Sequence, residues 1–152
     1  VRKSAGIIRY RRAGGVIEVL LVHPGGPFWS RKDEGAWSIP KGQMEDGEEE
    51  QTTARREFRE EVGQHAEGPL QPLGSVRQKG GKTVHAFAQE GDLDISTIES
   101  TRFSLEWPPR SGQLRDYPEV DRASWFTLVE ARAKMLPSQL PLLDRLEALL
   151  QD

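Results

Sequence analysis

Apolar positions in the first half of the chain come in short runs broken by glycine and proline. Ile7–Arg12 and Val16–Val22 flank Ala13-Gly14-Gly15, a pattern that predicts a β-hairpin. His23-Pro24-Gly25-Gly26-Pro27 holds two prolines and two glycines and predicts a loop. Phe28–Glu34 extends that loop with the mixed-charge patch Arg31-Lys32-Asp33-Glu34. Trp37-Ser38-Ile39 predicts a short strand stopped by Pro40, and 41–47 a loop. The period then changes. Ala54, Phe58 and Val62 recur at i, i+4 and i+8, which predicts a helix over 48–62 with one buried stripe, closed by Gly63.

The second half returns to strands. Leu73–Lys79 and Thr83–Glu90 flank Gly80-Gly81, a hairpin signal. Alternation puts Thr83, His85 and Phe87 on one face, and Val84, Ala86 and Ala88 on the other. Residues 91–100 predict a loop, 101–107 a strand ended by Pro108-Pro109, 110–120 an irregular loop and 123–127 a strand. Helices follow at 128–135 and 138–150; the last has an apolar face of Leu142, Leu143, Leu146, Leu149 and Leu150. Its Pro141 falls in the first turn, where a missing N–H is tolerated. Strands around a mid-chain helix, with helices again at the end, predict an α/β sandwich on a mixed sheet.

The bulk numbers narrow the class. A length of 152 residues suits one domain spanning 1–152, with 36% apolar and 30% charged residues. A net charge of −3 leaves no overall basic footprint for duplex nucleic acid. No run approaches the roughly 18 apolar residues of a membrane span, and VRKSAGIIRYRR lacks the apolar centre of a signal peptide. There is no cysteine. That excludes disulfides and thiolate metal sites and fits the cytoplasm. Oligomeric state is not encoded in these features.

The chemistry is concentrated in Arg56-Glu57-Phe58-Arg59-Glu60-Glu61. On a helix, Glu57, Glu60 and Glu61 fall within roughly a 100° arc. They also lie near its negative C-terminal end, where each misplaced charge costs about 0.3–1 kcal/mol. Such a cluster invites a cation, and carboxylate oxygens suit Mg²⁺ or Mn²⁺. Arg55, Arg56 and Arg59 offset part of the repulsion, so the helix alone leaves an ordinary solvated acidic face open.

The preceding segment adds a pattern. Gly42, Glu48, Arg56, Glu57, Phe58, Glu60, Glu61 and Gly63 stand at the spacing G-x5-E-x7-R-E-U-x-E-E-x-G-U, where U is a bulky apolar residue. This resembles the Nudix box; Gln64 in the last apolar slot is the one departure. The resemblance implies an α/β/α sandwich with a mixed sheet over nearly the whole chain. It also implies a Mg²⁺- or Mn²⁺-dependent hydrolase that cleaves the diphosphate linkage of a nucleoside diphosphate joined to a second group. Glu57 and Glu61 are then the first metal ligands, with Glu60 as ligand or base and Gly42 offering its backbone carbonyl. Arg56 would hold the acids in place, with Glu48 as its structural partner; a purely structural role for both stays open. The physical logic is that a carboxylate cage alone repels a diphosphate, whereas bound divalent ions invert the local sign and acidify a water.

Outside the box, Lys41 is placed to contact phosphate. Glu119, in a late loop, is the further acid that many members use as base or ligand, with Asp116 and Asp121 as competitors. Lys79, Lys82 and His85, with Arg77 nearby, make a basic hairpin suited to outer phosphates. Tyr117 and Trp29 sit in predicted loops and are the better stacking surfaces for a base. Residues 37–42 and 82–85 are similar, more weakly, to the dinucleoside polyphosphate hydrolase branch. The expected partner is a small-molecule nucleotide, with (di)nucleoside polyphosphates ahead of ADP-ribose-type sugars and diphosphoinositol polyphosphates. The rivals are a Nudix domain that only binds a nucleotide, and a structural α/β interaction module.

Overall fold

A computed structural model describes residues 2–151. Strands β1 (Lys3–Ala13) and β2 (Val16–Pro24) form the first hairpin. Its turn uses Gly14 and Gly15, both at positive φ (59° and 82°), a conformation that glycine alone adopts freely. Short β3 (Lys41–Gln43) leads to helix α1 (Glu50–Val62), then β4 (Gln71–Arg77) and β5 (Thr83–Glu90) make the second hairpin. Strands β6 (Arg102–Glu106), β7 (Leu114–Pro118) and β8 (Val120–Thr127) follow, and then helices α2 (Leu128–Lys134) and α3 (Leu140–Leu150). The main sheet runs β4-β5-β1-β2-β8, with β3 also on β1. The β1–β5 pairing is parallel and the other pairings in this sheet are antiparallel, so the sheet is mixed as the sequence predicts.

Alternation along the central strands divides the core in two. Ala5, Ile7, Leu20, Val22 and Phe87 pack under Ala54, Phe58 and Val62 of α1. Their neighbours Ile8, Val19, Leu21, Val84, Ala86 and Ala88 face Leu142, Leu143 and Leu146 of α3 on the opposite side. The result is the α/β/α sandwich. Phe58 is fully buried; truncating such a ring costs about 3–5 kcal/mol. Among the described residues no helix is long and apolar enough to cross a membrane.

Several boundaries differ from the sequence reading, each for a physical reason. The helix starts at Glu50, with Glu49 at its N-cap, because the Glu48 carboxylate is engaged with the preceding loop and with Arg56. Residues 41–43 are a strand on β1 rather than loop. Trp37 and Ser38 make single bridges only, to Met135 and Val22. The stretch read as loop over 110–120 holds β7, which pairs with β6 in a separate two-stranded ribbon. Leu114 is exposed there and the strand has no buried alternation, so its pattern carries no periodic signal. In α3, Leu142, Leu143 and Leu146 are buried while Leu149 lies at the exposed edge.

Candidate active site

The box acids are set by the contact between β3 and α1. A Cβ built on Gly42 would fall 1.8 Å from Glu57 Oε1. The Glu57 carboxylate therefore rests on the Gly42 backbone, and glycine is the residue that leaves room for it. One turn further along, Glu61 Oε1 accepts from the Lys41 backbone N–H at 3.3 Å. Gly63 closes the helix at φ 79° and its N–H bonds the Arg59 carbonyl. It also passes so close to the Glu99 backbone that a Cβ would lie 2.7 Å from that carbonyl oxygen. Gln64, the departure from the box pattern, donates to Thr97 Oγ1 at 3.0 Å, and buried Ala66 joins the apolar cluster under α1.

Arg56 ties the loop before the helix to the acids. Its Nε and Nη2 donate to Glu48 Oε2 and Oε1, both at 2.9 Å, a bidentate pair. Nη2 also donates to the Gln43 carbonyl at 3.0 Å, and Nη1 to Glu60 Oε2 at 3.2 Å. The Glu57 carboxylate lies 3.5 Å from Nη1. Glu48 accepts in addition from Thr53 Oγ1 at 2.6 Å and the Glu45 N–H at 3.1 Å. Arg56, then Thr53 and the Glu45 amide, hold the Glu48 carboxyl down at about 2. Glu48 first, and then the charges of Glu57 and Glu60, keep the guanidinium above its ordinary value.

The remaining acids are shifted the other way. Burial, then a hydrogen bond and repulsion from Glu60, push Glu57 up to about 7. Burial first, and repulsion from Glu57, push Glu61 up to about 8 against the opposing charge of Lys41. Burial and Glu60 also raise Glu119. Lys41 is lowered, by burial first, with Glu61 opposing. Carboxyls raised by burial, and then by neighbouring acids, favour the protonated form, and a bound cation reverses that preference. Among the described residues no three such side chains already converge as a finished cage. The chemistry of the set, crowded carboxylate oxygens beside a glycine backbone, nevertheless fits a hard divalent ion.

A cavity of about 200 Å³ opens beside these acids, lined by Trp29, Lys41, Glu61 and Glu119 with Val22 and Pro24 among its apolar walls. Glu119 arrives from the junction of β7 and β8. Its N–H donates to the Thr101 carbonyl at 2.8 Å, and its carbonyl accepts from the Gly25 N–H at 2.9 Å. Four residues singled out from sequence thus meet at one opening.

Others do not join them. Glu60 lines a separate groove with Arg55, Arg56, Arg59, His65 and Thr101. His85 is not grouped with the hairpin lysines: its Nδ1 lies 3.4 Å from Glu50 Oε1 at the start of α1. It lines a third cavity there, with Glu48 and Glu49. Lys79 and Lys82 are exposed, and the charge of Lys82 reaches Lys41. Tyr117 is half-buried in β7, its ring tilted against Phe103 at 6.0 Å, and is not among the cavity-lining residues. Asp116 accepts from Ser104 at 2.7 Å, and Asp121 lies 2.8 Å from His23. The pair His23–Asp121 is 98 residues apart in sequence, and no local spacing signals it.

The family model for the NUDIX domain matches residues 1–146. The chain belongs to the Nudix family. As a Nudix hydrolase it is a pyrophosphohydrolase, an enzyme acting on phosphoric anhydride bonds. Among solved structures it is similar to a C. elegans Ap4A hydrolase binary complex. That match has 25% identity over 99% of this chain and 98% of the other, at a TM-score of 0.70. It is also similar in fold to the NUDIX domain of Shewanella oneidensis NrtR complexed with ADP ribose, with 15% identity over 98% and 88% of the two chains and a TM-score of 0.69. A mutT/nudix family protein from Listeria innocua matches at 18% identity over 98% and 93%, with a TM-score of 0.64. No curated protein sequence matches the chain. The fold expected of a Nudix hydrolase from the box residues alone is the fold observed.

Proposed function

We propose that this Nudix hydrolase, acting as one unit over residues 1–152, cleaves a diphosphate linkage in a nucleoside diphosphate joined to a second group. A (di)nucleoside polyphosphate stands first as substrate. The observation that carries this reading is the meeting of Glu61, Glu119, Lys41 and Trp29 at one cavity, beside a Glu57 carboxylate seated on Gly42. The similarity to a C. elegans Ap4A hydrolase supports the substrate order.

Glu57 and Glu61, with the Gly42 carbonyl and Glu60 as further donors, would hold Mg²⁺ or Mn²⁺; once bound, the ion supplies charge to neutralise the diphosphate and acidify a water. Around it, the chain's own groups divide the work. Glu119, whose carboxyl is raised by burial and then by Glu60, takes a proton from the attacking water. The Lys41 ammonium meets a phosphate oxygen at the cavity wall. Trp29 offers an apolar face to a base. Arg56 and Glu48 act at one remove by fixing the loop and Glu60. Three carboxyls with upward shifts in one place have no comparable use in a module built only for packing.

A panel of nucleotides, incubated with and without Mg²⁺ and with products identified in ¹⁸O water, tests the reading. Metal-dependent cleavage with ¹⁸O in one phosphoryl product is expected, fastest for the polyphosphates. Binding without cleavage would replace the hydrolase by a nucleotide-binding domain. ADP-ribose is the second reading for the substrate, favoured by the fold similarity to a domain complexed with that ligand.

A further inference from the structure

We infer that His23 is a positioning residue for this site: bridging Asp121 and the Lys32 carbonyl, it locks the loop that carries Trp29 to the strand junction that carries Glu119. The inference rests on the hydrolase reading above, in which Glu119 handles the proton.

His23 has no solvent exposure. Its Nδ1 lies 2.8 Å from Asp121 Oδ1 and its Nε2 lies 2.6 Å from the Lys32 carbonyl oxygen. Each ring nitrogen thus faces an oxygen from a different chain segment, one a carboxylate and the other a backbone carbonyl. The ring stands edge-on to Trp37 at 5.2 Å, which leaves it little freedom to turn. A histidine that merely fills a core needs one such partner; this one joins three chain segments.

Each end of the bridge leads to the cavity. Lys32 donates its N–H to the Trp29 carbonyl at 2.9 Å, so the Lys32 carbonyl belongs to the turn that sets Trp29. Asp121 stands two residues after Glu119 at the start of β8. The β2–β8 register slips between His23 and Pro24, so that His23 pairs with Arg122 and Pro24 with Val120. Such a bulge redirects the strand at its end. Beyond it, Gly25 passes so close to Pro118 that a Cβ would fall 1.9 Å from the Pro118 carbonyl oxygen, and its N–H holds the Glu119 carbonyl. His23 does not itself line the cavity, so it acts on the chemistry through these neighbours. Arg122 flanks the arrangement, 3.8 Å from Asp121 Oδ1 and 5.2 Å from the Trp37 ring centre.

A kinetic double-mutant cycle with Glu119→Gln tests this. Asp121→Ala, at an exposed position that spares the core, removes the acceptor. It should lower kcat about 10-fold or more in the wild-type background, because even a fraction of the about 1 Å misplacement that can cost about 100-fold is felt at the reacting group. In the Glu119→Gln background the same change should cost little, while Asp121→Asn, which keeps an acceptor oxygen, should restore most of the rate. His23→Gln should follow Asp121→Ala if it folds; Asp121→Ala decides the matter if it does not. Equal losses in both backgrounds would overturn the inference. Amide exchange provides a readout free of turnover. The Gly25 N–H should exchange about 10-fold faster in Asp121→Ala with the α1 amides unchanged, and a uniform increase across the chain would mean general destabilisation and overturn it. Absence of turnover in the wild type would remove the hydrolase reading and leave the lock to be judged on exchange alone.

Discussion

The Glu57 carboxylate lies on the backbone of Gly42, with its Oε1 only 1.8 Å from where a Cβ would be. A strand glycine and a helical acid fifteen residues later are therefore one structural unit. Gly42→Ala must push the carboxylate aside or part β3 from α1. The expected cost is about 1–3 kcal/mol of stability, as for overpacking elsewhere, and turnover should fall about 100-fold or more because the carboxylate proposed to hold the metal is displaced. Thermal unfolding and steady-state kinetics together check this; wild-type turnover in Gly42→Ala would separate Glu57 from the chemistry.

Arg56→Lys keeps a positive charge but loses the planar fork that grips Glu48, Gln43 and Glu60. We expect kcat to fall clearly with little change in KM, since the side chain orders the loop and acids rather than touching substrate. An unchanged kcat would reduce Arg56 to a counter-charge.

This unit was the legible part of the sequence. Gly42, Glu48 and Arg56–Gly63 are close in the chain, and a helix turns fixed spacing into fixed geometry. The buried stripe of Ala54, Phe58 and Val62 followed for the same reason. Glu119 and Lys41 were visible as residue types, but their meeting with Trp29 depends on β-sheet register, which no local pattern encodes. His23 and Asp121 pair across the β2–β8 bulge and give no signal at all in isolation. The ribbon of β6 and β7 was hidden because a strand without a buried face shows no alternation. Alternation puts His85 on the face it occupies but does not show that this face leads to Glu50 at the start of α1.

Stability should depend on pH in a direction set by the raised acids. Glu57 and Glu61, at about 7 and about 8 when folded, bind more protons in the folded chain than unfolded, where carboxyls titrate near 4.3. Their contribution is thus fully present below about 4.3 and is lost as pH rises through about 8. Glu48 works in the opposite sense: held at about 2, it stabilises above the unfolded carboxyl range and is lost as pH falls toward 2. Metal-free protein should show a falling Tm from pH 5 to pH 9, and saturating Mg²⁺ should flatten or reverse that slope. A metal-free Tm that is level across this range would contradict the upward shifts.

The exposed hairpin lysines test chain length in the substrate. Changing Lys79 and Lys82 together to alanine should raise KM most for the longest polyphosphate and least for ADP-ribose. The difference should shrink with added salt, because exposed charges are screened over about 10 Å at 0.1 M. Equal KM changes across the panel would make the hairpin a solvated edge and bring ADP-ribose level with the polyphosphates.

Whether the carboxylates of α1 work through a divalent ion is decided by the turnover of Glu61→Gln beside wild type, each with Mg²⁺ and in excess EDTA. The substitution keeps size and removes charge. The expected result is a folded variant with kcat reduced about 100-fold or more, equivalent to about 3 kcal/mol in barrier, and wild-type activity abolished by EDTA and restored by Mg²⁺. Wild-type turnover that persists in EDTA, or a Glu61→Gln protein as active as the parent, would contradict it.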